Sequence, residues 1–98
     1  MAYEIRASSA VRKDLRKLGK TLQEGIRRKH FPRIEEDPFQ GHALHGELSG
    51  LRSYHFNYRG TAHRIVYEIL KKEGIVLVLM IAKREGLYRA LRRRLRGR

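Results

Sequence analysis

The stretch from Leu51 to Tyr88, LRSYHFNYRGTAHRIVYEILKKEGIVLVLMIAKREGLY, constrains the fold of this chain most tightly. Arg59-Gly60 and Lys71-Lys72-Glu73-Gly74 divide it into three runs rich in β-branched, aliphatic and aromatic residues. Short polar breaks containing glycine between such runs mark consecutive hairpins. The stretch therefore predicts a three-stranded antiparallel meander. Side chains alternate across a strand, so parity assigns each residue to a face. In the first run Tyr54, Phe56 and Tyr58 share one face, and Ser53, His55 and Asn57 the other. In the second run His63, Ile65, Tyr67 and Ile69 oppose Arg64, Val66 and Glu68. The third run, Ile75 to Ala82, is apolar throughout and reads as a central strand covered on both sides. It ends in Lys83-Arg84-Glu85. One face of the meander is thus expected to be core. The other carries His55, Asn57 and Arg64, with Arg84 at the strand exit.

The flanks read as follows. Tyr3 to Ala7 alternates like a short strand, and Ser8 or Ser9 can cap the helix that follows. Val11, Leu15 and Leu18 form that helix's buried stripe, and Gly19 is a natural stop. Thr21-Leu22-Gln23-Glu24 matches a capping box, which predicts a second helix and hence a helix hairpin. Pro32 cannot donate inside a helix, so a kink or break is expected near Phe31, and Asp37-Pro38 ends the segment. Residues 39–50 read as a Gly-rich connection anchored by Leu44 and Leu48. From Gly86 onward, Leu87, Leu91 and Leu95 lie at helical spacing among many arginines. With so few apolar anchors, this basic end is expected to be the mobile element. The fold class predicted is α+β: an antiparallel-meander sheet of about four strands, an N-terminal helix hairpin on one face and a short basic C-terminal helix. Residues 1–98 are expected to form one domain.

Charge narrows the function. Lys and Arg number 23 against 10 Asp and Glu, a net charge of +13. Such an excess in a small chain points to a polyanionic partner, above all nucleic acid. The absence of cysteine excludes disulfides and thiolate metal sites and fits a reducing cytoplasm. No run is long and apolar enough for a membrane span, and the opening MAYEIRASS lacks the apolar core of a signal peptide. His42 and His45 stand close in the Gly-rich loop with no third ligand in sight. No metal and no cofactor is expected.

Specific residues now carry a resemblance. Leu48-x-Gly50-Leu51-Arg52-x-Tyr54 leads into His63-Arg64-Ile65-Val66-Tyr67-Glu68-Ile69, and the apolar strand exits through Ala82-Lys83-Arg84-Glu85-x-x-Tyr88. In these motifs, and over nearly its whole length, the chain resembles the RelE/ParE superfamily of toxins from bacterial toxin–antitoxin modules. The resemblance implies a compact microbial-ribonuclease-like domain. RelE-type members cut messenger RNA in the ribosomal A site; ParE-type members share the fold, lack the catalytic set and inhibit DNA gyrase. The arginine of the RelE Arg-Leu-Val-Tyr strand corresponds to Arg64, the strand-exit arginine to Arg84 and the following tyrosine to Tyr88. Two lysines of RelE fall on His55 and Asn57, a departure that leaves histidine to move the proton.

The chemistry fits these residue types. In RNA self-cleavage a 2′-hydroxyl attacks the adjacent phosphorus, a base takes its proton, an acid protonates the leaving 5′-oxygen, and cations hold the phosphate. Arg64 and Arg84 suit the last task, because a guanidinium matches phosphate oxygens bidentately. His55 titrates in the right range for proton transfer. Tyr88 can stack on a base or take part in that transfer. Arg52, Asn57, Lys83, Arg89, Arg92 and Arg93 are assigned to RNA binding, Glu68 to a possible ion pair with Arg64, and His63 to the core. The function expected is that of a type II toxin: a ribosome-dependent mRNA endoribonuclease. Its expected partners are mRNA on the ribosome, ribosomal RNA, a cognate antitoxin, and operator DNA only in complex with that antitoxin. The alternatives are a ParE-like gyrase inhibitor and a degenerate member acting only with its antitoxin.

Overall fold

A computed structural model describes residues 3–97. The meander forms: β3 spans Leu51–Tyr58, β4 Thr61–Leu70 and β5 Ile75–Lys83, the last one residue longer than expected. The sheet has five strands in the order β1-β5-β4-β3-β2, where β1 is Glu4–Ala7 and β2 is His42–Ala43. Two corrections to the expected sheet follow. It is mixed, because β1 lies parallel to β5 with Ile5 opposite Val76. It also gains a fifth strand from the supposed connection, because His42 and Ala43 pair antiparallel with Ser53 and Arg52. A two-residue edge strand carries too few positions to show a period of two, so no pattern could reveal it.

The N-terminal helices cover one face. Helix α1, Ser9–Lys17, begins where the Ser8 hydroxyl accepts from the Val11 amide at 3.3 Å. Gly19, at φ 84°, turns the chain into α2, Lys20–Gly25. The expected capping box is not made, because the helix starts at Lys20 with Gly19 at its cap, ahead of Thr21. A π-helical turn, Ile26–His30, then joins α2 to α3, Phe31–Glu36, and the Phe31 amide reaches back five residues to Ile26. Pro32 sits in the first turn of α3, where its missing donor costs little. The anticipated break near Phe31 is therefore a slip in hydrogen-bond register. Against this layer the sheet buries Tyr54, Ile65, Tyr67, Val76, Val78 and Ile81, which meet Val11, Leu15, Leu22, Ile26 and Ile34.

The opposite face is also partly roofed. Helix α4, Leu87–Arg96, lays Leu87 and Leu91 on Val66, Leu79, Met80 and Leu48. This second core explains why β5 is apolar at every position. A bulge between Val66 and Tyr67, opposite Met80 and Val78, shifts parity midway along the strand. Leu79 and Met80 can then both serve the α4 side. The helix is further tied by a bidentate pair: Arg94 Nη1 and Nη2 donate to Asp14 Oδ2 and Oδ1 at 2.8 and 2.9 Å. Asp14 Oδ2 also accepts from the Ile81 amide at 3.2 Å, and Arg94 Nη1 donates to the Leu79 carbonyl at 2.9 Å. So α4, expected to be loosely held, is locked to α1 and β5 at once. The sequence concealed this because Asp14 is one of many charges on α1 and Arg94 one of many on α4.

Candidate functional site

Three strands present the site on the α4 side of the sheet. The register sets two rows across β3, β4 and β5. His55, Arg64 and Ala82 form one row. Asn57 and Ala62 form the next, extended by Arg84, whose amide donates to the Ala62 carbonyl at 3.0 Å. A methyl group at position 62 leaves a hollow between the longer side chains. The result is a cleft of ≈ 230 Å³ whose lining includes His55, Asn57, Ala62, Arg64 and Arg84.

Arg64 is half-buried, and its Nη1 donates to the Tyr88 hydroxyl at 2.7 Å. Its guanidinium carbon lies 5.3 Å from the centre of the Tyr88 ring. Among the described residues no carboxylate pairs with Arg64 or Arg84. The proposed Arg64–Glu68 ion pair is absent, because Glu68 lies four residues up the strand, between Leu51 and Leu77. Two uncompensated cations beside a hollow make a ready anion site.

His55 sits opposite Arg64, and its ring stacks on that of His42 at 4.4 Å and 20°. Its pKa falls below the ordinary 6.5, first because partial burial penalises the charged imidazolium, then because Arg64 and His42 lie close. The shift favours the neutral ring, the form that can take a proton. His42 was missed as a neighbour of this site, since its placement depends on β2. The pairing of β2 with β3 carries the only signal for it.

The remaining predicted residues divide. Asn57 is exposed at the cleft. Tyr88 is half-buried and bonded to Arg64, so packing and site share it. Lys83 pairs with His63 and points to the helix-hairpin side, away from Arg84. Arg52 also faces that side; its Nη1 donates to the Gly41 and Phe39 carbonyls at 2.8 and 3.1 Å, which makes it a clamp on the 37–41 turn. Arg89 and Arg93 are exposed on α4, and Arg92 bridges to Glu47 at 3.3 Å. None of the three lines the cleft. His63 is buried as expected, with Nδ1 3.0 Å from the Thr61 carbonyl. The described residues contain no cluster of three or more His, Cys, Asp or Glu suited to a metal ion, and no helix long and apolar enough to cross a membrane.

Residues 5–92 match the sequence profile of a family described as ParE-like toxin of type II bacterial toxin–antitoxin system. The chain belongs to this family. Among individual relatives of this ParE-like toxin, the mRNA interferase toxin RelE of Escherichia coli K12 is 28% identical over 85 residues, covering 87% of this chain and 86% of RelE. Toxin RelG of Mycobacterium tuberculosis is 28% identical over 90 residues, covering 91% of this chain and 99% of RelG. Among solved structures, a chain of the M. tuberculosis toxin–antitoxin complex RelBE2 superposes with a TM-score of 0.73 at 28% identity, covering 86% of this chain and 100% of the other. A mutant of E. coli RelE in the free state gives 0.73 at 25% identity, covering 97% and 99%. These likenesses place the toxin in the RelE/ParE superfamily, with the RelE fold.

Proposed function

We propose that this toxin acts as a single domain and cleaves messenger RNA on the ribosome, inhibiting translation. The observation that carries the reading is the half-buried Arg64 guanidinium, which no carboxylate pairs among the described residues, bonded to Tyr88 and lining one cleft with His55. In this mechanism Arg64 and Arg84 hold the scissile phosphate and stabilise the charge that builds as the 2′-oxygen attacks phosphorus. His55 takes the 2′-hydroxyl proton. The P–O5′ bond breaks, leaving a 2′,3′-cyclic phosphate. Tyr88 accepts its hydrogen bond from Arg64, so its own O–H proton is uncommitted and is given to the leaving 5′-oxygen. Asn57 contacts the flanking nucleotide. Lys83 and the exposed arginines of α4 meet phosphate backbone, including that of ribosomal RNA. The toxin works in the cytoplasm. A cognate antitoxin silences it, and the pair together binds operator DNA. RelE, a relative over most of the chain, is named an mRNA interferase, and RelBE2 is a toxin–antitoxin complex, which supports both halves of this reading.

The test is cleavage of mRNA on programmed ribosomes by wild type and Arg64→Ala, with folding checked by circular dichroism. Loss of one transition-state donor lowers the rate roughly 100- to 1,000-fold. Equal cleavage by both proteins removes the assignment of Arg64. No cleavage by either, where RelE cleaves, favours the second reading, a gyrase inhibitor, to which the ParE-like family description also points.

A further inference from the structure

The β3–β4 hairpin contains an unexpected residue. Tyr58 pairs with Thr61, leaving Arg59 and Gly60 as a two-residue loop with φ 49° and 77°. Both positive values identify the type I′ turn, whose first position favours Asn, Asp or Gly. Arg59 is the one non-glycine residue with positive φ among the described residues. Holding a long cation where its backbone is disfavoured costs stability that Asn or Gly at this position would spare.

Its surroundings are aromatic and cationic. Arg59 lies with its guanidinium carbon 5.2 Å from the Tyr58 ring centre. Around that ring runs a second cleft of ≈ 300 Å³, lined by Lys17, Tyr58, Arg59, Thr61, His63 and Lys83 together with Leu18 and Leu22. Three cations line it and no carboxylate does, and among the described residues none of the three is ion-paired. This cleft abuts the first at the same end of the sheet, and His63 lines both. Lys83 and Arg84 are consecutive, so their side chains straddle the sheet, one toward each cleft.

We infer that the Lys17–Tyr58–Arg59–Lys83 cleft is a subsite for single-stranded RNA, taking the nucleotides that flank those in the Arg64 cleft. The inference rests on the nuclease reading for its direction and deepens it. Phosphates meet Lys17, Arg59 and Lys83, and a base stacks on the face of Tyr58 once Arg59 swings to the backbone; cation-lined grooves with an aromatic platform bind single strands in this way. RNA is favoured over an acidic protein segment because the cleft continues the cleavage site around the sheet end and offers a ring to stack on.

The experiment measures binding of a fluorescein-labelled, 2′-O-methylated RNA decamer, which cannot be cut, and of a trimer of the same chemistry. Wild type, Arg59→Asn and a Lys17→Gln/Arg59→Asn/Lys83→Gln triple variant are compared across salt. The triple variant is expected to bind the decamer about 10- to 100-fold more weakly and to lower the log–log salt slope by about 2, given roughly 0.7 per phosphate contact on single strands. Trimer binding should fall far less than decamer binding, because a trimer fits within the Arg64 cleft. Arg59→Asn alone should raise the melting temperature, because Asn suits the turn, while weakening decamer binding; a purely structural Arg59 would not show this opposition. Unchanged decamer affinity and slope would overturn the subsite. If wild type never cleaves mRNA yet the decamer depends on Arg59 and Lys83, the subsite stands and the nuclease reading falls.

Discussion

Separating Asp14 from Arg94 should loosen α4 more than any other single polar change in the toxin. The pair joins the C-terminal helix to α1 and, through the Ile81 amide, to β5. The Asp14 side chain is 10% exposed and that of Arg94 29%. Breaking a buried pair by removing one partner costs about 3–5 kcal/mol, because the other charge is left uncompensated. Arg94→Leu leaves the less exposed charge behind, with one amide donor, and should cost about 3 kcal/mol, at the low end of that range. Asp14→Leu leaves a guanidinium that water partly reaches and that keeps the Leu79 carbonyl, so about 2 kcal/mol is expected. The double variant removes both charges together and should lie within about 2 kcal/mol of wild type, which makes the coupling energy at least roughly 3 kcal/mol. Urea unfolding of the four proteins completes the cycle. Amide exchange in Leu87–Arg96 should quicken in each single variant and largely recover in the double. Additive single effects, with coupling below about 0.5 kcal/mol, would refute the idea that this pair holds the helix. Tyr88 rides on α4, so loss of the latch should also lower cleavage with the Arg64 cleft itself untouched.

Other consequences can be checked directly. His30 is buried, stacked on Phe56 at 4.1 Å, with Nδ1 2.8 Å from the Tyr54 hydroxyl, and burial, then Lys29 and Arg33, push its pKa down to about 4. The unfolded chain takes up this proton near 6.5 and the native one only near 4, so stability is full above 6.5 and is lost as pH falls toward 4. The loss should reach about 2 kcal/mol by roughly pH 5, and denaturant curves of His30→Gln should lack that part of the pH dependence. A methyl group at Gly41 would collide with the Tyr67 hydroxyl, which donates to the Pro38 carbonyl, so Gly41→Ala should cost about 1–3 kcal/mol in urea unfolding; wild-type stability would exclude the clash. If His55 is the base, the cleavage rate should fall on the acid side with an apparent pKa below 6.5, and His55→Ala should erase that limb.

What the residues alone determined is the meander and its two faces. Alternation along β3 and β4 reads out which side chains share a surface, and two glycine-bearing turns fix the hairpins that hold the register. His55, Asn57 and Arg64 were therefore legible as neighbours, and Arg84 as the residue at the strand exit. The tertiary structure alone decided which cations remain free. Parity put Lys83 and Arg84 on opposite sides, but packing turned Arg52 into a clamp on the 37–41 turn and Arg94 into a latch on Asp14. It also brought His42 against His55 through a strand too short to show a period. The physical reason is one of range. Periodicity reports what a residue's own element does with its side chain. The partner of a charge is chosen by distant segments, here as much as 80 residues away. With 23 Lys and Arg in 98 residues, sequence cannot distinguish the few that are committed from the many that are not.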